Sequence, residues 1–275
     1  MNPVVKTRQG EVRGRRADGM HVFKGIPYAA TPFGPHRLRP PQPVEPWSGR
    51  RDALIYGPKS PQLPYPPPID RLIPELAMPG EDCLTLNVWS ADLGSARQPV
   101  MVWIPGGMFE FHATGATAFY DGSRFARDGV VCVTINYRVG AEGFLYLGDG
   151  IANLGLLDQI AALEWVRNNI GRFGGDPGKV TVFGESAGAM SVATLLTMPR
   201  PKGLFQRAIV QSGNTPNVNS AATAQRIGRR LAELLGAEPR RQAIAAMRPE
   251  LVLRAQTKLR RASPCPCYSP CCQRH

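Results

Sequence analysis

The sequence predicts an α/β fold with a mostly parallel central sheet and flanking helices. Two observations carry that prediction. From Leu84 onward, short β-branched and apolar runs alternate with longer helical patterns, as in strands joined by helical crossovers. Within that alternation, 173–188 reads FGGDPGKVTVFGESAG. This is a strand, a sharp turn carrying a serine, and the start of a helix.

The elements follow in order. Short antiparallel strands are expected over 4–7, 11–14 and 21–23. Residues 32–80 are Pro-rich and irregular; a long ordered loop of that kind is usually functional or a surface wrap. Strands are expected over 84–89, 100–104, 130–136, 179–183 and 207–211, each rich in Val, Ile or aromatic residues. Helices are expected over 123–127, 154–170, 187–197 and 221–235. Leu156, Ile160, Leu163 and Val166 recur at helical spacing. Pro199 and Pro201 stop the helix that begins at Ala187. No internal repeat is present.

Ser186 is the candidate nucleophile. Its turn, Gly184-Glu185-Ser186-Ala187-Gly188, follows the buried-strand pattern Lys179-Val180-Thr181-Val182-Phe183. Such an elbow pushes a serine hydroxyl above the sheet edge. Gly184 and Gly188, two residues either side, let strand and helix pack without a Cβ clash. The helix N-terminus presents free N–H groups to developing negative charge. The chemistry this suits is nucleophilic acyl transfer. A plain strand-to-helix turn with an idle serine is the structural alternative.

The sequence around Ser186 resembles the type-B carboxylesterase family, which includes cholinesterases and para-nitrobenzyl esterases. Phe23-Lys24-Gly25-Ile26-Pro27-Tyr28-Ala29, Glu81-Asp82-Cys83-Leu84-Thr85-Leu86-Asn87-Val88-Trp89 and Trp103-Ile104-Pro105-Gly106-Gly107-Met108-Phe109 are similar to blocks of that family. So are Asn136-Tyr137-Arg138-Val139-Gly140, Asn153-Leu154-Gly155-Leu156-Leu157-Asp158-Gln159 and Phe205-Gln206-Arg207-Ala208-Ile209-Val210-Gln211-Ser212-Gly213. The resemblance implies the α/β-hydrolase fold over 1–258 and a serine carboxylesterase acting on small-molecule esters without a cofactor. It also implies an oxyanion hole made by the backbone N–H groups of Gly107, Met108 and Ala187. Members of the family are much longer than this chain. The chain is therefore expected to be a C-terminally truncated or frame-shifted member, with a fold incomplete at that end.

The fold orders its triad as serine, then acid, then histidine along the chain. After Ser186 the one histidine is His275, and Glu233, Glu238 and Glu250 fall in expected helices and read as solvated surface charges. His21, His36 and His112 precede Ser186, and Glu185 beside it reads as a structural or electrostatic residue. The triad acid and histidine are thus expected to be absent, and turnover by this chain is expected to be low. The competing reading is a non-catalytic cholinesterase-like binding protein or an inactive fragment. Retention of Ser186 within a full elbow favours the esterase.

The formal net charge is +12, yet 61–225 carry 11 Lys and Arg against 14 Asp and Glu. The excess sits at the two ends and matches no nucleic-acid module. No apolar run reaches the ~18 residues of a membrane span, and the first residues hold no apolar signal core. A cytoplasmic location is expected. Cys83 and Cys132 read as buried thiols. In secreted relatives the cysteine at the Cys83 position joins an upstream partner, and none precedes Cys83 here. Residues 259–275 are rich in Arg, Pro and Cys, without periodicity. They are read as a shifted reading frame and expected to be disordered. The cysteines there do not match a standard zinc spacing.

Overall fold

Residues 2–73, 78–94, 97–111, 114–115, 117–214, 218–262 and 268–272 are described in a computed structural model of the chain. Strands β1 (Val4–Lys6) and β2 (Glu11–Arg13) pair antiparallel. Strands β3 (Arg15–Ala17) and β4 (Met20–Pro27) form a hairpin. Its Asp18-Gly19 turn has φ of 50° and 81°, the two positive values that match the twist of paired strands. β2 also pairs in parallel with β5 (Arg50–Asp52), which closes a small sheet, β1-β2-β5. A single turn, α1 (Ile69–Leu72), lies in the Pro-rich segment.

The central sheet adds β6 (Thr85–Ser90), β7 (Gln98–Ile104), β8 (Val131–Ile135), β9 (Gly175–Glu185) and β10 (Arg207–Gln211). Its order is β10-β9-β7-β8-β6-β4-β3. The four strands from β10 to β8 run parallel, and β6, β4 and β3 continue antiparallel at the other end. β6 and β8 are buried along their whole length, as strands covered on both faces must be. β9 starts earlier than expected because Gly175 pairs with Gln98 ahead of a register shift.

Helices α2 (Ser123–Arg127), α3 (Gly140–Phe144), α4 (Leu154–Asn169) and α5 (Ala187–Thr197) flank this sheet. Phe183 meets Phe125 of α2 at a ring separation of 5.8 Å, whereas Gly184 abuts Gly188 of α5. Successive strand residues face opposite ways, so α2 and α5 cover opposite faces. Val102, Val133, Val182, Leu163 and Val192 lie fully buried between sheet and helices. Cys83 and Cys132 are free and buried, and burial pushes the Cys132 thiol up to about 12. No helix among the described residues is long and apolar enough to cross a membrane.

Three more helices follow: α6 (Ala221–Leu235), α7 (Arg241–Ala245) and α8 (Pro249–Ala262). Ser220 caps α6 by accepting the Thr223 N–H at 3.1 Å. α8 buries Val252, Ala255, Gln256 and Leu259, one stripe at helical spacing.

The expectation of a structureless 259–275 needs correction where that stretch is described. Leu259 is buried, so α8 continues past 258 to Ala262. Further on, β12 (Cys271–Cys272) pairs with β11 (Asn219–Ser220). The Asn153 side chain meets the Cys271 backbone like a strand neighbour. It donates to the carbonyl at 2.9 Å and accepts from the N–H at 2.6 Å. Tyr268 and Cys271 are buried. Cys265, Cys267 and His275 lie outside the described residues.

β10 is the sheet's edge, with Ile209 42% and Val210 39% exposed. An exposed apolar edge templates self-association. Ile209→Lys is expected to shift the chain from aggregate to monomer on size exclusion. An unchanged elution profile would show that the edge does not drive association.

Candidate active site

β9 ends at Glu185 and α5 begins at Ala187, leaving Ser186 alone at the turn with φ 53° and ψ −121°. A non-glycine residue held there costs about 1–3 kcal/mol and persists only where its surroundings over-determine it. They do so here. The Ser186 N–H donates to the Gln211 carbonyl at the end of β10 (2.9 Å), and the Ser186 carbonyl accepts from the Met190 N–H (2.9 Å). A methyl on Gly184 would sit 2.5 Å from the Gly188 backbone, and one on Gly188 would sit 2.0 Å from the Ile104 carbonyl oxygen. Only glycine fits at both. The Ser186 side chain is half-buried and makes no capping hydrogen bond.

The loop after β7 lies against this turn. A methyl on Gly106 would lie 2.6 Å from the Glu185 carbonyl oxygen and 3.3 Å from the Ser186 Cβ. Gly107, Met108 and Phe109 all have positive φ, at 111°, 55° and 60°. The Gly107 carbonyl accepts from the N–H groups of Glu110 (3.0 Å) and Phe111 (2.7 Å), closing a tight turn. The Gly107 and Met108 N–H groups are left with no acceptor among the described residues. The first N–H groups of α5, including Ala187, have no acceptor within the helix either. Met108 is 44% exposed, so its side chain leaves the loop interior.

Four neighbours fix the loop. The Tyr137 hydroxyl donates to the Pro105 carbonyl (2.8 Å), and the Gly140 N–H donates to the Phe109 carbonyl (2.6 Å). From the Pro-rich segment, Leu63 bridges Phe111, and the Tyr65 ring stacks on Phe111 at 5.4 Å. The sequence reading missed Tyr65, Tyr120 and Tyr137. An aromatic residue in an otherwise proline-dominated stretch was the available signal for Tyr65. The Glu185 carboxylate is exposed and lies beside Gly106. Burial raises the Tyr65 and Tyr120 hydroxyls, and Glu185 adds to both, with Tyr120 reaching about 12. These phenols stay protonated at neutral pH. They can donate hydrogen bonds but cannot act as bases.

The geometry thus brings together Ser186, the elbow glycines Gly184 and Gly188, and the loop bearing Gly107 and Met108. It brings no described imidazole to them. His21 sits on β4, four strands from β9, about 19 Å at ~4.8 Å per strand. His36 ends a short 3-10 turn in the N-terminal wrap. His112 and His275 lie outside the described residues. Glu233, Glu238 and Glu250 are exposed and pair with Arg230, Arg240 and Arg248.

A family model described as "Carboxylesterase family" matches residues 1–258. The chain is 51% identical over 218 residues to a para-nitrobenzyl esterase of Bacillus subtilis, covering 76% of this chain and 43% of that protein. It is 41% identical over 238 residues to a phenmedipham hydrolase of Pseudarthrobacter oxydans, covering 81% and 46%. Among solved structures, a Geobacillus stearothermophilus carboxylesterase superposes with a TM-score of 0.88 at 42% identity, over 98% of this chain and 55% of that one. A thermophilic PNB esterase superposes with a TM-score of 0.91 at 42% identity, over 99% and 58%. The chain spans about half the length of the relatives it matches. Over nearly all of its own length it has the α/β-hydrolase fold of these enzymes, and it belongs to the carboxylesterase family.

Proposed function

We propose that the chain carries the nucleophile and oxyanion half of a serine carboxylesterase acting on small-molecule esters. The observation that supports this best is the strained Ser186 turn packed against a loop whose Gly107 and Met108 N–H groups find no acceptor among the described residues. In the proposed step, the Ser186 oxygen bonds to the ester carbonyl carbon as its proton passes to a base. The carbonyl oxygen becomes an oxyanion and accepts from Gly107, Met108 and Ala187. Collapse expels the alcohol and leaves an acyl-enzyme, which water then hydrolyses. No base for this transfer stands among the described residues. Without one, the oxyanion donors and binding alone leave about 10³–10⁴-fold catalysis over water. A cytoplasmic location is also proposed, in keeping with the free thiols of Cys83 and Cys132. No nucleic-acid partner is proposed.

The experiment is labelling with a fluorophosphonate, located by mass spectrometry. Slow modification confined to Ser186, lost in Ser186→Ala, is expected. Modification elsewhere with Ser186 untouched would remove the assignment and favour a binding scaffold. Turnover of para-nitrophenyl acetate at ordinary enzyme rates would reveal an unassigned base, with His112 and His275 the first to replace.

A further inference from the structure

The loop over 107–111 is anchored from a direction that the family match does not cover. Met108 and Phe109 sit in the left-handed region, where a bulky side chain stays only under external restraint. Part of that restraint comes from the C-terminal segment. The Gln256 side-chain carbonyl accepts from the Ala141 N–H at 3.1 Å. It thereby backs α3, whose Gly140 N–H holds the Phe109 carbonyl. One turn further along α8, the Arg260 guanidinium lies 4.8 Å from the centre of the Phe111 ring, within cation–π range. Beyond α8, the Tyr268 N–H donates to the Glu110 carboxylate at 3.3 Å, and both residues are buried. Asn153 and β11 hold Tyr268's own stretch in place through Cys271. Arg260 and Tyr268 both lie past residue 258, where the family match ends.

We infer that Arg260 and Tyr268 are positioning residues: they hold the 107–111 turn so that the Gly107 and Met108 N–H groups converge beside Ser186. This inference rests on the proposed esterase reading for its catalytic consequence, but not for the anchoring itself. Arg260 presses on the Phe111 ring at the end of the turn, and Tyr268 ties down Glu110 one residue earlier. Together they fix the two residues whose N–H groups close onto the Gly107 carbonyl. Releasing them leaves the Met108 and Phe109 backbone free to relax toward ordinary φ, which turns the N–H groups away. Misplacing catalytic groups by about 1 Å can cost about 100-fold.

The test uses the full chain and compares Arg260→Ala and Arg260→Lys with the unaltered protein. Amide hydrogen exchange is followed at Glu110, Phe111 and Gly140, with β8 as internal control. The maximal rate and half-saturating concentration of fluorophosphonate labelling at Ser186 are measured in parallel. Arg260→Ala is expected to speed exchange at those three amides about tenfold with β8 unchanged, and to lower the maximal labelling rate about 10- to 100-fold without moving half-saturation. Arg260→Lys retains a cation at the ring and is expected to recover most of both. Unchanged exchange at the three amides overturns the inference. So does exchange that rises equally in β8, which marks general destabilisation, or faster exchange with undiminished labelling. If Ser186 in the unaltered chain is never labelled, the esterase reading falls, and the exchange result decides the anchoring alone.

Discussion

Asp158→Asn is expected to destabilise the fold by about 3–5 kcal/mol, the cost of leaving a buried charge without its partner. Asp158 and Arg138 are both 0% exposed. The Arg138 side chain donates to Asp158 through Nε at 2.8 Å and Nη2 at 2.6 Å, and its backbone N–H donates to the same carboxylate at 3.1 Å. The remaining guanidinium nitrogen donates to the Arg39 carbonyl at 2.8 Å. Burial works most strongly against the Arg138 charge, yet Asp158, with Cys83 and Tyr28 adding to it, offsets that and raises the guanidinium's pKa. An amide at 158 keeps the shape and removes that offset. A whole domain is stable by only about 5–15 kcal/mol, so the loss is a large share. The pair ties the segment after β8 to α4, and α3 begins two residues after Arg138. The damage therefore reaches the loop that α3 supports. Urea unfolding of Asp158→Asn measures it, and a midpoint within error of the unaltered chain would refute the argument. The double change Arg138→Met with Asp158→Leu removes both charges and is expected to be far milder, because apolar pairs often replace buried ion pairs at little cost.

Local chemistry made much of this fold legible. The apolar, β-branched runs at β7, β8 and β9 could be read because a strand covered on both faces has one composition throughout. The Ser186 turn could be read because Gly184 and Gly188 stand where close packing excludes any side chain. α8 was legible only around Glu250, and its bounds were missed although its buried stripe has helical spacing. Gln256 occupies a core position there for its hydrogen bond to α3, and a polar residue in the stripe hides the pattern. β3, and with it the hairpin to β4, was missed despite its Asp18-Gly19 signal, since a three-residue strand carries little pattern of its own. Other features are set by partners distant in the chain. Nothing near Glu11 announces its pairing with Arg50, and nothing in Met108 or Phe109 announces positive φ. At the site, the residue types that carry the proposed nucleophile and donors were legible from the elbow and the family blocks. The aromatic and C-terminal residues that brace the loop were not, because their contacts join segments up to 158 positions apart.

Gly107→Ala is expected to slow acylation of Ser186 by about 10²–10³-fold, the effect of losing an oxyanion donor. Gly107 has φ of 111°, which residues bearing a Cβ rarely adopt. A methyl there would lie 1.8 Å from the Phe111 carbonyl oxygen, far inside contact distance, and that oxygen belongs to backbone that cannot swing aside. The turn must therefore open. Opening it breaks the two hydrogen bonds that the Gly107 carbonyl accepts from Glu110 and Phe111. It also carries the Gly107 and Met108 N–H groups away from the proposed oxyanion position. The loop joins β7 through Pro105, which Tyr137 holds independently, so the core strands should feel this less than the turn does. The labelling rate should thus fall much further than the melting temperature. Gly171→Ala provides the control: a methyl there meets nothing within 4 Å, and labelling should be unchanged. If Gly107→Ala labels at the unaltered rate while folded, the oxyanion assignment of Gly107 and Met108 is wrong. If it labels slowly only in proportion to unfolded protein, the loop matters for stability and not for the acyl-transfer step.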